Sequence, residues 1–261
     1  MVTPRALTLV FCLLGACLAH ANGATVAHYS YRVLEQLPQS RQHFVQGFEI
    51  VDEQLYVSTG NYGQSQLLRY SFPQGELDIA RKLHPRIFAE GVTVLEDRVY
   101  QLTWQNRLML VYKREQLTPS HSFRLPGEGW GLTNNGVQLI YSDGSDKLHF
   151  MSPLTGRIER SLAVTEMGEP LDDLNELEWV DGKLWANIWQ SDRVVIIEPA
   201  TGAVTGSIDL TGLLPEEERR PNTDVLNGIA RNPADGAIWV TGKRWPWMYR
   251  IEVLPKGSQL P

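Results

Sequence analysis

Apolar and polar positions along the chain follow one pattern five times over. A short apolar strand, a polar turn and a second strand of apolar and aromatic residues occupy residues 47–60, 91–104, 131–144, 176–189 and 228–242. Alternation of this kind on either side of a turn predicts a β-hairpin. First and last residues are 13 apart in four of the segments and 14 apart in the fifth, whose additional residue falls in the turn Asn232-Pro233-Ala234-Asp235-Gly236. Those residue types tolerate turn conformations, so the pattern absorbs the insertion.

A third apolar strand follows each hairpin, at residues 67–70, 108–111, 148–151, 194–197 and 248–251, and in the first four repeats a turn then leads to a short fourth strand. Repeat starts lie 44, 40, 45 and 52 residues apart, the period of four-stranded propeller blades. The fifth repeat runs out of chain before a fourth strand, while residues 31–37 stand ahead of the first hairpin without one of their own. The fold predicted is all-β, a five-bladed β-propeller whose last blade is closed by the N-terminal strand. Such closure removes a bare sheet edge. The longest interval implies an insertion, with residues 213–220 expected as a short helix and the run Glu216-Glu217-Glu218-Arg219-Arg220 as its solvated face.

With 261 residues, 43% of them apolar, the chain can bury the core of a single domain. Its net charge of −6 and the lack of a Lys/Arg run argue against nucleic-acid binding. Residues 1–21 read as a signal peptide: Arg5 precedes an apolar run over residues 6–19, too short to span a bilayer, and Ala19-His20-Ala21 fits the small-x-small cleavage rule. The propeller domain then covers residues 22–261, and an exported protein, periplasmic or secreted, is expected. Leu14-Gly15-Ala16-Cys17 is similar to a bacterial lipobox, so lipidation at Cys17 is the one route to a membrane. Cys12 and Cys17 both lie in this segment, which leaves the mature domain without a disulfide. A monomer is expected.

In a propeller the first strand of each blade lines the central channel, and the residues leading into it crowd one mouth. The positions just before the repeat starts hold Gln46, Glu90, Trp130, Asn175 and Asn227; those closing the second strands include Trp104, Trp189 and Lys243. A merely packed channel would use small apolar groups there. Each residue also has a plainer reading: a tryptophan in every blade is commonly a packing element, channel amides bridge waters, and a lone loop lysine ordinarily faces solvent. Glu90 is harder to dismiss, because a carboxylate beside Phe88 and several indoles is desolvated, raised in pKa and suited to proton transfer near neutrality. The histidines His28, His43, His84, His121 and His149 show no zinc-ligand spacing, and no phosphate loop, nucleophile elbow or H-E-x-x-H helix is present. Neither a metal nor a cofactor is read from the sequence, and Ser142-Asp143-Gly144-Ser145 reads as a turn.

The same segments carry a family resemblance over residues 31–254. Phe44-Val45-Gln46-Gly47, Phe88-Ala89-Glu90-Gly91, Gly129-Trp130-Gly131, Asn175-Glu176-Leu177-Glu178, Trp185-Ala186-Asn187-Ile188-Trp189 and Thr241-Gly242-Lys243-Arg244-Trp245-Pro246 resemble the plant-type glutaminyl-peptide cyclotransferases, five-bladed propellers that also occur in bacteria. Two departures show: Val57 stands where the family often has Glu, and Ala89 where it often has Gly. The resemblance implies conversion of N-terminal glutaminyl residues of peptides or proteins to pyroglutamate with loss of ammonia. On that reading Glu90 shuttles the proton, Lys243 and Asn175 hold the carboxamide oxygen, Gln46 orients the substrate, and Phe44, Phe88, Trp104, Trp130 and Trp189 form an aromatic cup.

Two other readings stay open at this point. One is a propeller hydrolase in which Glu90, Asn175 and Asn227 ligate Ca²⁺ through oxygen. The other is an exported module that binds peptide or sugar at the Trp-rich mouth without catalysis.

Overall fold

The computed structural model describes residues 25–257, so the expected signal segment, with Cys12 and Cys17, lies outside the described residues. Strand β1 covers Ala27–Pro38. Strands β2 to β5 are Val45–Val51, Gln54–Thr59, Gln66–Ser71 and Leu77–Lys82. Strands β6 to β9 are Ala89–Leu95, Arg98–Thr103, Leu108–Lys113 and Thr118–Arg124. Strands β10 to β13 are Leu132–Asn134, Leu139–Ser142, Lys147–Met151 and Ile158–Ala163. A small hairpin that the repeat pattern does not announce, β14 (Thr165–Glu166) and β15 (Glu169–Pro170), precedes the fourth unit. That unit holds β16 to β19, Leu174–Val180, Lys183–Ile188, Arg193–Ile197 and Val204–Asp209. The chain closes with β20 to β22, Leu226–Arg231, Ile238–Gly242 and Trp247–Pro255.

The first three units are separate four-stranded antiparallel sheets, β14 and β15 form a two-stranded one, and the other eight strands form one sheet in the order β16-β17-β18-β19-β1-β22-β21-β20. β1 runs antiparallel to β22 from Tyr29 opposite Pro255 to Pro38 opposite Trp247. Its first residues also pair parallel to β19, Ala27 with Gly206 through Tyr29 with Ile208. The result is an all-β, propeller-like arrangement. The first two strands of every unit are largely buried, whereas the fourth strands β5, β9 and β13 are largely exposed and β19, beside β1, is mostly buried, so the hairpins of the sequence repeat are the inner ones.

Inner strands neighbour one another in succession: β2 beside β6, β6 beside β10, β10 beside β16, β16 beside β20 and β20 beside β2. The approach is close enough to demand glycine. A Cβ on Gly131 would sit 1.9 Å from the Asn175 carbonyl oxygen, and one on Gly47 2.4 Å from the Val92 nitrogen, which explains why repeats begin with glycine. The fourth repeat begins with Glu176 instead. Its carboxyl reaches two other units, accepting hydrogen bonds from the Phe48 and Ile229 amides at 3.2 and 2.9 Å. Two residues further along each inner strand, Glu49 accepts from the Val94 amide at 2.7 Å and Glu178 from the Arg231 amide at 2.8 Å. These three buried carboxyls strap neighbouring units together.

Residues 213–220 depart from expectation. Only Glu216–Glu218 form a helical turn, of the 3-10 type. Pro215 and Pro221 bracket too few residues to repay helix nucleation. The insertion is anchored instead by Leu213 and Leu214, which enter the core cluster containing Trp245 and Tyr249, and by Glu218, which pairs with Arg41 at 2.7 Å.

Candidate active site

Four of the five inner strands break register where they begin. Pairing with the second strand shifts between Val45 and Gly47, Ala89 and Val92, Leu174 and Leu177, and Leu226 and Ile229. The residues passed over include Gln46, Glu90, Asn175 and Asn227. A bulge re-aims the side chain it carries, so the polar residue ahead of each repeat start is released from the sheet's alternation.

Three of those four, with six further residues singled out from the sequence, surround one cavity of about 390 Å³. Phe44, Gln46, Phe88, Glu90, Trp104, Trp130, Asn175, Trp189 and Lys243 all line it. Asn227 does not. Its amide turns behind the wall, donating to the Val45 carbonyl at 3.0 Å and to Oε1 of Gln46 at 3.3 Å. The oxygen trio Glu90, Asn175 and Asn227 considered for Ca²⁺ is therefore not gathered in the cavity.

Glu90 is 5% exposed and accepts a hydrogen bond from Nε2 of Gln46 at 3.1 Å. Burial pushes its carboxyl well above the ordinary range; Lys243 works against that rise and Glu128 adds to it. Lys243, only 4% exposed, is not the solvent-facing loop lysine that its type suggests. Its backbone pairs with residues 224–225, the Lys243 amide donating to Val225 at 2.9 Å and the Asp224 amide donating to Lys243 at 3.1 Å. Burial pulls the ammonium's pKa down, while Glu90 and Asp224 hold it up. Nζ of Lys243 lies 5.0 Å from the centre of the Phe44 ring. Oδ1 of Asn175 is buried without a hydrogen-bond partner.

Aromatic side chains form the walls edge to face. Phe88 meets Phe44 at 6.2 Å, Trp104 at 5.5 Å and Tyr62 at 5.5 Å between ring centres, and Trp130 meets Trp189 at 5.6 Å. One carboxylate oxygen sets two of the indoles: Oε2 of Glu128 accepts from Nε1 of Trp104 at 2.6 Å and from Nε1 of Trp130 at 3.2 Å. Gly144, in the Ser142-Asp143-Gly144-Ser145 turn, lies under Trp130 with φ +84°, where a Cβ would come within 2.7 Å of the indole. That turn also holds Asp143, which takes hydrogen bonds from Ser145 and His149.

Residues 7–253 match the glutamine cyclotransferase family. The chain belongs to that family. Within it, a glutaminyl-peptide cyclotransferase of Arabidopsis thaliana is 34% identical over 227 residues, 85% of this chain and 70% of the relative. The crystal structure of Myxococcus xanthus glutaminyl cyclase superposes with a TM-score of 0.82 at 32% identity, covering 88% of this chain and 99% of that one. The WD40 β-propeller domain of Doa1, at 10% identity and a TM-score of 0.51 over 80% of this chain, shares the fold alone.

This member of the glutamine cyclotransferase family places further residues at its cavity that the repeat pattern does not single out. Asn61, Gln190, Asp224 and Val225 line it, and Glu128 stands behind two of its indoles. The acid two residues before Trp130 was the available sign of that support. Val57 and Ala89, the two positions at which the sequence is expected to depart from the family pattern, are both buried and neither lines the cavity.

Proposed function

We propose that this chain is a glutaminyl-peptide cyclotransferase, closing the N-terminal glutamine of peptides or proteins to pyroglutamate and releasing ammonia. The observation that carries this reading is a buried carboxyl, Glu90, and a buried ammonium, Lys243, facing one aromatic cavity in a member of this family. The reaction is intramolecular. The neutral α-amine attacks the side-chain carboxamide carbon, a C–N bond forms as a C=O bond becomes a C–O⁻, and the collapse of that intermediate breaks the bond to the amide nitrogen.

Glu90 takes the proton lost by the attacking amine and gives it to the departing nitrogen, which leaves as ammonia. A carboxyl raised by burial can do both near neutral pH. Lys243 and the amide of Asn175 supply charge and a hydrogen bond to the oxyanion, in a setting with little competing water. Gln46 fixes the rotamer of Glu90, and the five aromatic rings hold the folded side chain, so that orientation rather than new binding energy lowers the barrier.

The site belongs, on this reading, to the mouth of a closed five-bladed propeller. Support comes from the circuit of inner strands that returns from β20 to β2 and from β1 pairing with β22. Residues 1–21 act as a removable export signal. The decisive assay incubates the purified protein with a Gln-led peptide and follows mass: loss of one ammonia with conversion to pyroglutamate is expected, whereas tight binding of the peptide without ammonia release would replace the enzyme by a binding module.

A further inference from the structure

Next to the aromatic cavity lies a second one of about 550 Å³. The same chain segments build both. Gln42 leads into Phe44, Gly63 follows Asn61, Pro85 precedes Phe88, Asn222 precedes Asp224 and Arg244 follows Lys243, the first of each pair lining one cavity and its neighbour the other. Phe44 ties the two together: Lys243 and Arg244 both lie over its ring, 5.0 and 5.7 Å from its centre.

The charged side chains lining this second cavity are all cationic, Arg41, Lys82 and Arg244. Arg41 is committed, giving one guanidinium nitrogen to the Glu218 carbonyl at 2.8 Å and another to the Glu218 carboxylate at 2.7 Å. Lys82 and Arg244 face no carboxylate among the described residues that line the cavity. On a chain of net charge −6, two unmatched cations in a concave site make an anion-selective well. Gln42, Gln64 and Gln66 add amides around it, groups that can pair with peptide main chain. The acids of the aromatic side, Glu90 and Asp224, line the other cavity, so among the described residues the second one holds no carboxylate of its own to repel an acidic side chain.

We propose that this cavity receives the residues that follow the N-terminal glutamine and selects an acidic side chain at the second or third position. The inference rests on the cyclotransferase reading of the aromatic cavity. An extended chain advances about 3.3–3.6 Å per residue, so a peptide whose first residue sits against Lys243 passes Phe44 and brings its second or third side chain to Arg244 and Lys82. A planar guanidinium and a flexible ammonium together recognise a carboxylate by charge-assisted hydrogen bonds.

The test compares kcat/KM for Gln-Ala-Ala, Gln-Glu-Ala, Gln-Ala-Glu and Gln-Lys-Ala peptide amides at low and high salt. At least one glutamate peptide is expected to exceed the alanine peptide by roughly tenfold, mainly through KM, with lysine disfavoured and the spread narrowing in salt. In the paired variant Lys82→Glu/Arg244→Glu the order should invert, lysine over glutamate, a reversal that loss of folding cannot produce. Equal rates for all four peptides, or an order untouched by charge reversal, would overturn the proposal. If no Gln-led peptide is turned over, the cyclotransferase reading fails instead; calorimetric binding of the same peptides then decides the cavity's preference, glutamate over lysine upholding it and no difference overturning it.

Discussion

The side-chain amide of Gln46 donates to Oε1 of Glu90 at 3.1 Å, and its own Oε1 accepts from Asn227 at 3.3 Å. The carboxyl is thereby held by a chain of two amides anchored on the Val45 backbone. Glu90→Gln should keep this shape and lose the proton shuttle, dropping kcat by about 10²–10⁴ while the near-ultraviolet circular dichroism stays native. Gln46→Ala should cost less than Glu90→Gln, because the base remains and only its aim is lost. Steady-state rates with a Gln-led peptide check both.

Rate should depend on pH as a bell. Burial and Glu128 raise Glu90, against the pull of Lys243, so the base form develops at higher pH than the ~4.3 of a free glutamate. Burial lowers Lys243, against Glu90 and Asp224, so the cation is lost below the ~10.4 of a free lysine. Both limbs of the kcat profile therefore move toward neutrality. Lys243→Arg, whose guanidinium does not deprotonate in this range, should be slower yet lose the alkaline limb, which a pH–rate series will read directly.

Glu128 should behave as a positioning residue. Glu128→Ala leaves the Trp104 and Trp130 indoles without their shared acceptor and is expected to raise KM more than it lowers kcat, with a shift in tryptophan emission. Glu128→Gln keeps an acceptor and should restore most of the KM. Both changes remove a negative charge that raises Glu90, so the acid limb of the kcat profile should move to lower pH. A role confined to packing would leave that limb in place.

Stability should fall from acid toward neutral pH through the strapping glutamates. Burial raises Glu49, Glu176 and Glu178, Glu178 also repelling the other two, while backbone hydrogen bonds oppose the rise. Between the unfolded value near 4.3 and these raised values the folded chain binds more protons than the unfolded one, so their contribution drains as pH climbs. Buried His43, lowered to about 4 by desolvation, works in the opposite sense: its contribution is lost as pH falls below its unfolded value of about 6.5. Glu178→Gln should flatten the loss between pH 5 and neutrality, as measured by urea midpoints across that range.

Periodicity made the inner hairpins legible because one strand-turn-strand segment returns five times at nearly constant length, even though residues such as Glu49, Glu176 and Glu178 interrupt its apolar strands. It also made the cavity legible, since equivalent positions of successive units converge, and Gln46, Glu90, Trp130 and Asn175 could be picked out as polar or bulky residues where small ones suffice. The orientation of Asn227 could not be read: all four bulged positions look alike in sequence, and only three side chains turn inward. Glu128 escaped because it lies outside the repeat register, in a connection whose course depends on its neighbours. The second cavity escaped for the same reason, its cations coming from two turns, at Arg41 and Arg244, and from the end of β5 at Lys82. At residues 213–220 the long repeat interval implies an insertion with a short helix, and two prolines leave only a single 3-10 turn.

The pairing of β1 with β22 has a consequence for how the protein is made. Arg32 and Glu252, ion-paired across that seam, are 220 residues apart, so β1 has only its short parallel contact with β19 until β22 has been made. A nascent chain cut short anywhere before residue 247 lacks β22 altogether, so β1 and β21 lose the strand between them and the cell receives adhesive sheet edges rather than merely a weaker enzyme.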